Sequence, residues 1–123
     1  MTTNPTTLNR LRARTLRWLL KLATVHDLPL PKTIQFGTIE CCGETLRYLS
    51  LGLDDDIDVG AWPTAIDADS IEEFEVTGDT HRWTCVDVST TWRMDSPRLD
   101  WHHIRVIVRH DVQPLADTRA VTA

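Results

Sequence analysis

Glycine and proline are sparse in this chain of 123 residues, at five and six, and phenylalanine and tyrosine are scarcer still, at two and one. No uninterrupted apolar stretch approaches the ~20 residues that a bilayer-spanning helix needs. The apolar segment near the start is broken up by arginines and does not read as a signal peptide. Cysteine is limited to Cys41, Cys42 and Cys85, an odd count with an adjacent pair, which is no disulfide framework. Neighbouring cysteines are strained partners for each other, so reduced thiols and a cytoplasmic location are expected. GxSxG, P-loop, GxGxxG and HExxH motifs are all missing. These absences argue against membrane, secreted disulfide-rich and low-complexity classes. The length implies one domain, placed at residues 1–113, with 114–123 as a frayed tail.

Basic residues are absent from 54–79, a stretch that holds ten acids. Residues 1–32 show the opposite bias, with Arg10, Arg12, Arg14, Arg17, Lys21 and Lys32 against Asp27 alone. Such segregation marks an interaction surface, or else a basic helix held against an acidic body within one fold.

Asn4-Pro5 reads as a helix start, with Asn4 as N-cap and Pro5 at the first helical position. The helix is expected to end near His26 or Asp27, before Leu28-Pro29-Leu30-Pro31. Leu8, Leu11, Thr15, Trp18, Leu22 and Val25 recur at helical spacing. Leu16, Leu19, Leu20 and Ala23 widen that apolar arc beyond half the circumference. One stripe against a sheet needs only about 100°, so the arc predicts a second contact through Leu16 and Leu20. Arg10, Arg14, Arg17 and Lys21 cluster on the remaining face.

Strands are expected at 33–40 and 45–53, joined at Cys42-Gly43, with Leu49, Leu51 and Leu53 alternating. Asp54-Asp55-Asp56 reads as the first turn of a second helix reaching Asp67, since acids suit the positive end of a helix dipole. Strands follow at 70–77, 80–91 and 102–112. In the second of these Val86 and Val88 face one way and His81, Trp83, Cys85 and Asp87 the other. In the last, Ile104, Val106 and Val108 point inward and Arg105 and Arg109 outward. The order α-β-β-α-β-β-β with short connections predicts an α+β fold: an antiparallel sheet of about five strands with two helices on one face.

The strongest-looking motifs fail on inspection. Asp54-x-Asp56-x-Asp58-x-Gly60 imitates a calcium loop, but Val59 and Ala65 stand where the EF-hand needs its glycine and its bidentate glutamate. His81, Cys85, His102 and His103 lack the paired spacing of a zinc site. No base accompanies the cysteines to make a nucleophile. Neither a metal, a cofactor nor a catalytic residue is therefore assigned, and the chain is read as a non-enzyme.

Tryptophan is the exception to the aromatic scarcity, with five residues. Trp18 and Trp62 fit the core faces of the two helices. Trp83, Trp92 and Trp101 lie on or beside the long hairpin. Tryptophan is favoured at protein interfaces because it buries much area and keeps a donor.

Leu28-Pro29-Leu30-Pro31, the following strand, the phrase Asp58-Val59-Gly60-Ala61-Trp62 and the aromatic-rich bend from Trp92 to Trp101 form a familiar series. Over most of residues 8–110 the chain resembles the small uncharacterised proteins encoded by actinobacteria, their phages and integrative elements. The bend is longer here than the tight turn of that group. The resemblance implies a cytoplasmic bacterial protein, phage-encoded in context, and carries no activity or site residue.

The sequence thus predicts a protein-binding module that forms a homodimer or acts on a host protein, as a phage or mobile-element factor. Its contact residues would be Trp83, Trp92, Trp101, Leu16 and Leu20. The alternative is a nucleic-acid-binding regulator using Arg10, Arg14, Arg17 and Lys21, whose cations can neutralise several phosphates. No recognition helix follows, so a helix-turn-helix is not supported.

Overall fold

A computed structural model describes residues 5–93 and 101–115, with side chains from residue 9. Helix α1 (Pro5–His26) begins at the expected proline. The expected cap Asn4 lies outside the described residues. The helix ends where Asp27 takes a left-handed φ of 53° and the Leu28 amide bonds back to the Ala23 carbonyl, closing the last turn. Strands β1 (Thr33–Cys41) and β2 (Glu44–Gly52) form a hairpin. Its two central residues, Cys42 and Gly43, both have positive φ, at 55° and 81°, which suits the twist of a two-residue turn. The remaining elements are α2 (Trp62–Ala65), β3 (Ser70–Thr77), β4 (His81–Ser89) and β5 (His103–Pro114).

The five strands lie in the order β1-β2-β5-β4-β3. The sheet is mixed, not antiparallel as expected, because β5 enters beside β2 and runs parallel to it. Residues 53–69 carry the chain from β2 across two strands to the far edge, so β3, β4 and β5 return as a meander. Short connections alone do not reveal that insertion.

The second helix is also corrected: it covers only Trp62–Ala65, not 54–67. Asp54–Asp56 belong to a strap along β5. The amides of Leu53 and Asp56 donate to the carbonyls of Ile107 and Arg109, and Asp56 Oδ1 accepts the amide of Asp111. Positive φ at Asp56 and Gly60 (61° and 56°) then prevents a continuous helix, and Pro63 has no amide to donate. Asp111 itself has a φ of 53° and sits in a β5 bulge opposite Trp83. β5 continues to Pro114, and the Leu115 amide bonds to the Thr80 carbonyl, so the ordered pairing reaches into the expected tail.

One sheet face holds the core. Leu49, Leu51, Val88, Ile104, Val106 and Val108 meet Leu19 and Ala23 of α1 and Trp62, Ala65 and Ile66 of α2. Both helices therefore lie on the same side, as expected. Trp101 is buried here at 2 % exposure, its Nε1 donating to Thr15 Oγ1 at 2.7 Å. Trp62 Nε1 donates to the Pro29 carbonyl at 3.1 Å, tying the Leu-Pro segment to the core. Among the described residues no helix is long and apolar enough to cross a membrane.

Candidate interaction surface

The opposite sheet face has no helix over it among the described residues. Strand alternation places there Ile39 of β1, Tyr48 and Ser50 of β2, His103, Arg105 and Arg109 of β5, Trp83, Cys85 and Asp87 of β4, and Phe74 of β3. Two apolar islands flank a band that holds Ser50, Arg105, Asp87 and Ile107.

The first island is built on β1, β2, the start of β5 and the segment that follows β4. Trp92 stacks on His103, with ring centroids 4.6 Å apart and planes 6° from parallel, and Tyr48 meets Trp92 edge-on at 6.4 Å. Gly37 makes this possible, because a Cβ there would run into the Tyr48 ring. The segment leading to Trp92 is fixed by Thr91, whose amide donates to Asp69 Oδ2 at 3.0 Å, and by Arg93, whose amide donates to the His102 carbonyl. The Thr91 hydrogen bonds hold the Asp69 carboxyl below its usual pKa. Gln35, Ile39, Tyr48, Trp92, His103 and Arg105 line an open bowl of about 460 Å³.

The second island holds Phe74 and Trp83, with Cys85 buried between the strands. The Arg109 guanidinium lies over the Trp83 ring, 5.4 Å from its centroid, and also forks onto Asp55 at 3.0 and 3.1 Å. Burial and the nearby Asp87 charge push the Cys85 thiol pKa up, so it stays a thiol.

Between the islands Arg105 donates to Ser50 Oγ at 3.2 Å and approaches Asp87 at 4.0 Å. Two atoms on this face, Asp87 Oδ1 and His103 Nδ1, are buried without a protein partner. Burial, joined by the positive charge of Arg105, lowers the His103 pKa and favours the neutral ring.

The expected contact residues therefore divide. Trp83 and Trp92 are half-buried on the open face. Leu16 and Leu20 are 42 % and 56 % exposed on α1, away from that face. Trp101 leaves the set: its indole fills the core, because its only donor is used by Thr15. Trp18 and Trp62 pack in the core as expected. Arg10, Arg14, Arg17 and Lys21 are exposed on α1, and Arg14 has a partner. Tyr48, His103, Arg105 and Phe74 complete the open face without having been singled out as contact residues. The signal for Tyr48 is its alternation out of phase with Leu49 and Leu51.

No metal cluster forms among the described residues. His102 Nδ1 accepts the Arg47 amide, and two carboxylates of the false calcium loop take protein donors, Asp56 from Asp111 and Asp58 from Gly60, as does the intervening Asp55 from Arg109. The comparisons identify no relative: no protein-family model, no curated protein and no solved structure matches this chain.

Proposed function

We propose that the chain is a non-enzymatic protein-binding module that pairs with a second copy of itself through the open face of its sheet. One observation carries the reading: among the described residues no helix covers the face of the five-stranded sheet where Ile39 and Phe74 are each 44 % exposed and Tyr48, Trp83 and Trp92 also lie. An antiparallel or mixed sheet that faces water normally alternates to polar residues on that side. Here the alternation supplies aromatics.

Charge selects the occupant. Arg105 and Arg109 already have Asp87 and Asp55 beside them, so among the described residues the face offers no spare cation to a phosphate chain, and the exposed carboxylate of Glu72 is its further charge. A second copy brings the same apolar surface with its arginines already paired. A twofold axis along the Arg105–Asp87 band sets the Tyr48–Trp92 island of one copy on the Phe74–Trp83 island of the other, the self-complementary arrangement of symmetric dimers.

The test is sedimentation of the wild type beside a variant carrying Ile39→Thr and Phe74→Thr, which keep strand propensity and charge. A dimer at micromolar concentration, weakened about tenfold or more in the variant, supports the reading. A wild-type monomer, or a dimer indifferent to both substitutions, removes it.

A further inference from the structure

The helix-side layer has a second pair of unsatisfied surfaces. α1 packs over the β1–β2 half of the sheet, with Arg12 over the Phe36 ring at 5.4 Å and Phe36 against Trp101. β3 lies at the other edge, four strand spacings or ~19 Å from β1. On β3 the residues that face the helix layer are those paired with Val88, Val86 and Thr84: Ile71, Glu73 and Glu75. Among the described residues no helix covers them. Ile71 is 63 % exposed and both glutamates are exposed.

The exposed part of α1 has the complementary character. Leu16 and Leu20, one turn apart, form an apolar ridge beside Arg17 and Lys21. None of Arg17, Lys21, Glu73 and Glu75 has an ion pair among the described residues. The basic helix is therefore not neutralised by this acidic strand within its own fold.

We infer that these are the two halves of one contact: α1 of one copy lies on the β3 margin of another, with Leu16 and Leu20 against Ile71 and with Arg17 and Lys21 against Glu73 and Glu75. Each molecule's helix layer then extends over the uncovered edge of its neighbour's sheet. The occupant is a second copy because each surface supplies what the other lacks, in both charge and apolar area. Nucleic acid satisfies the cations but leaves Leu16, Leu20 and Ile71 in water. The contact joins two different patches, so it propagates or closes into a ring. It does not depend on pairing through the open sheet face.

The experiment is sedimentation velocity of the full chain at low and high salt, on the wild type and two charge-reversal variants. One carries Arg17→Glu with Lys21→Glu and the other Glu73→Lys with Glu75→Lys. All four positions are exposed, and circular dichroism checks that each variant folds. The wild type should assemble at low salt and lose that assembly near 1 M, where the screening length falls to ~3 Å. Each reversal alone should abolish the assembly, and an equimolar mixture of the two variants should restore it, since each then offers the other a complementary surface.

Assembly unaffected by salt and by both reversals overturns the proposal, as does a mixture that stays dissociated. Salt-dependent binding of duplex DNA that Arg17→Glu with Lys21→Glu abolishes, with self-assembly unchanged, assigns the helix to nucleic acid instead. Salt separates the two self-contacts: an apolar sheet-face dimer survives high salt, whereas the α1–β3 contact does not.

Discussion

On the helix-covered side of the sheet, Leu49, Leu51, Val88, Val106 and Val108 are fully buried, whereas on the other side Ile39 and Phe74 are each 44 % exposed. The covered side buries aliphatic side chains around Trp62 and Trp101, and the Trp101 indole donates to Thr15. On the open side Tyr48, Trp92 and His103 cover one another and Arg109 covers Trp83, while Phe74 stays exposed. Among the described residues that side also holds two buried side-chain atoms without protein partners, Asp87 Oδ1 and His103 Nδ1. A face whose groups are half-satisfied in the single chain differs physically from a finished core. Polar atoms without partners cost free energy, and apolar rings in water forgo burial. The exposed rings are what the proposed second copy would cover; the two polar atoms are already enclosed within the single chain.

Substitutions separate the two sides. Trp62→Ala on the covered side should cost ~3–5 kcal/mol in urea unfolding, since it empties a fully buried site and the hydrogen bond to Pro29. Trp92→Ala on the open side should cost only about 1 kcal/mol of monomer stability while weakening self-association. Equal losses of stability would erase the distinction. Gly37→Ala tests whether the open face is packed at all: driving a methyl into the Tyr48 ring should cost ~1–3 kcal/mol. Combining it with Tyr48→Ala should recover part of that loss.

Smaller effects sharpen the picture. The His103 pKa lies below its ordinary value in the fold, so protonation favours unfolding. Its contribution to stability is intact above the unfolded histidine value of about 6.5 and is lost as pH falls from there through the lower folded value. His103→Asn should flatten that part of the pH profile; an unchanged slope would assign it elsewhere. Asp55→Asn should cost less than about 1 kcal/mol, because the pair with Arg109 is partly exposed. A larger loss in unfolding would show that the strap along β5 supports the whole sheet.

Much of this contrast was legible in residue alternation. Val86 and Val88 against Trp83 and Cys85, and Ile104, Val106 and Val108 against Arg105 and Arg109, assigned both sides of β4 and β5. The helix arc placed Leu16 and Leu20 outside. What alternation cannot encode is which strands are neighbours, so the parallel pairing of β2 with β5, and the meeting of Tyr48 with His103 and Trp92, were hidden. Asp54–Asp56 misled for a local reason: acids suit a helix start, but here they accept from Arg109 and Asp111, residues more than fifty positions away. Trp101 misled because hairpin tryptophans read alike until a partner such as Thr15 fixes one inside.

The proposed second copy over the open face is tested most directly by sedimentation equilibrium at high salt, where the proposed charged α1–β3 contact is screened. A salt-resistant dimer in the wild type, dissociated by Ile39→Thr with Phe74→Thr, is the predicted result. A monomer across the micromolar range, with both variant and wild type unchanged, would contradict it.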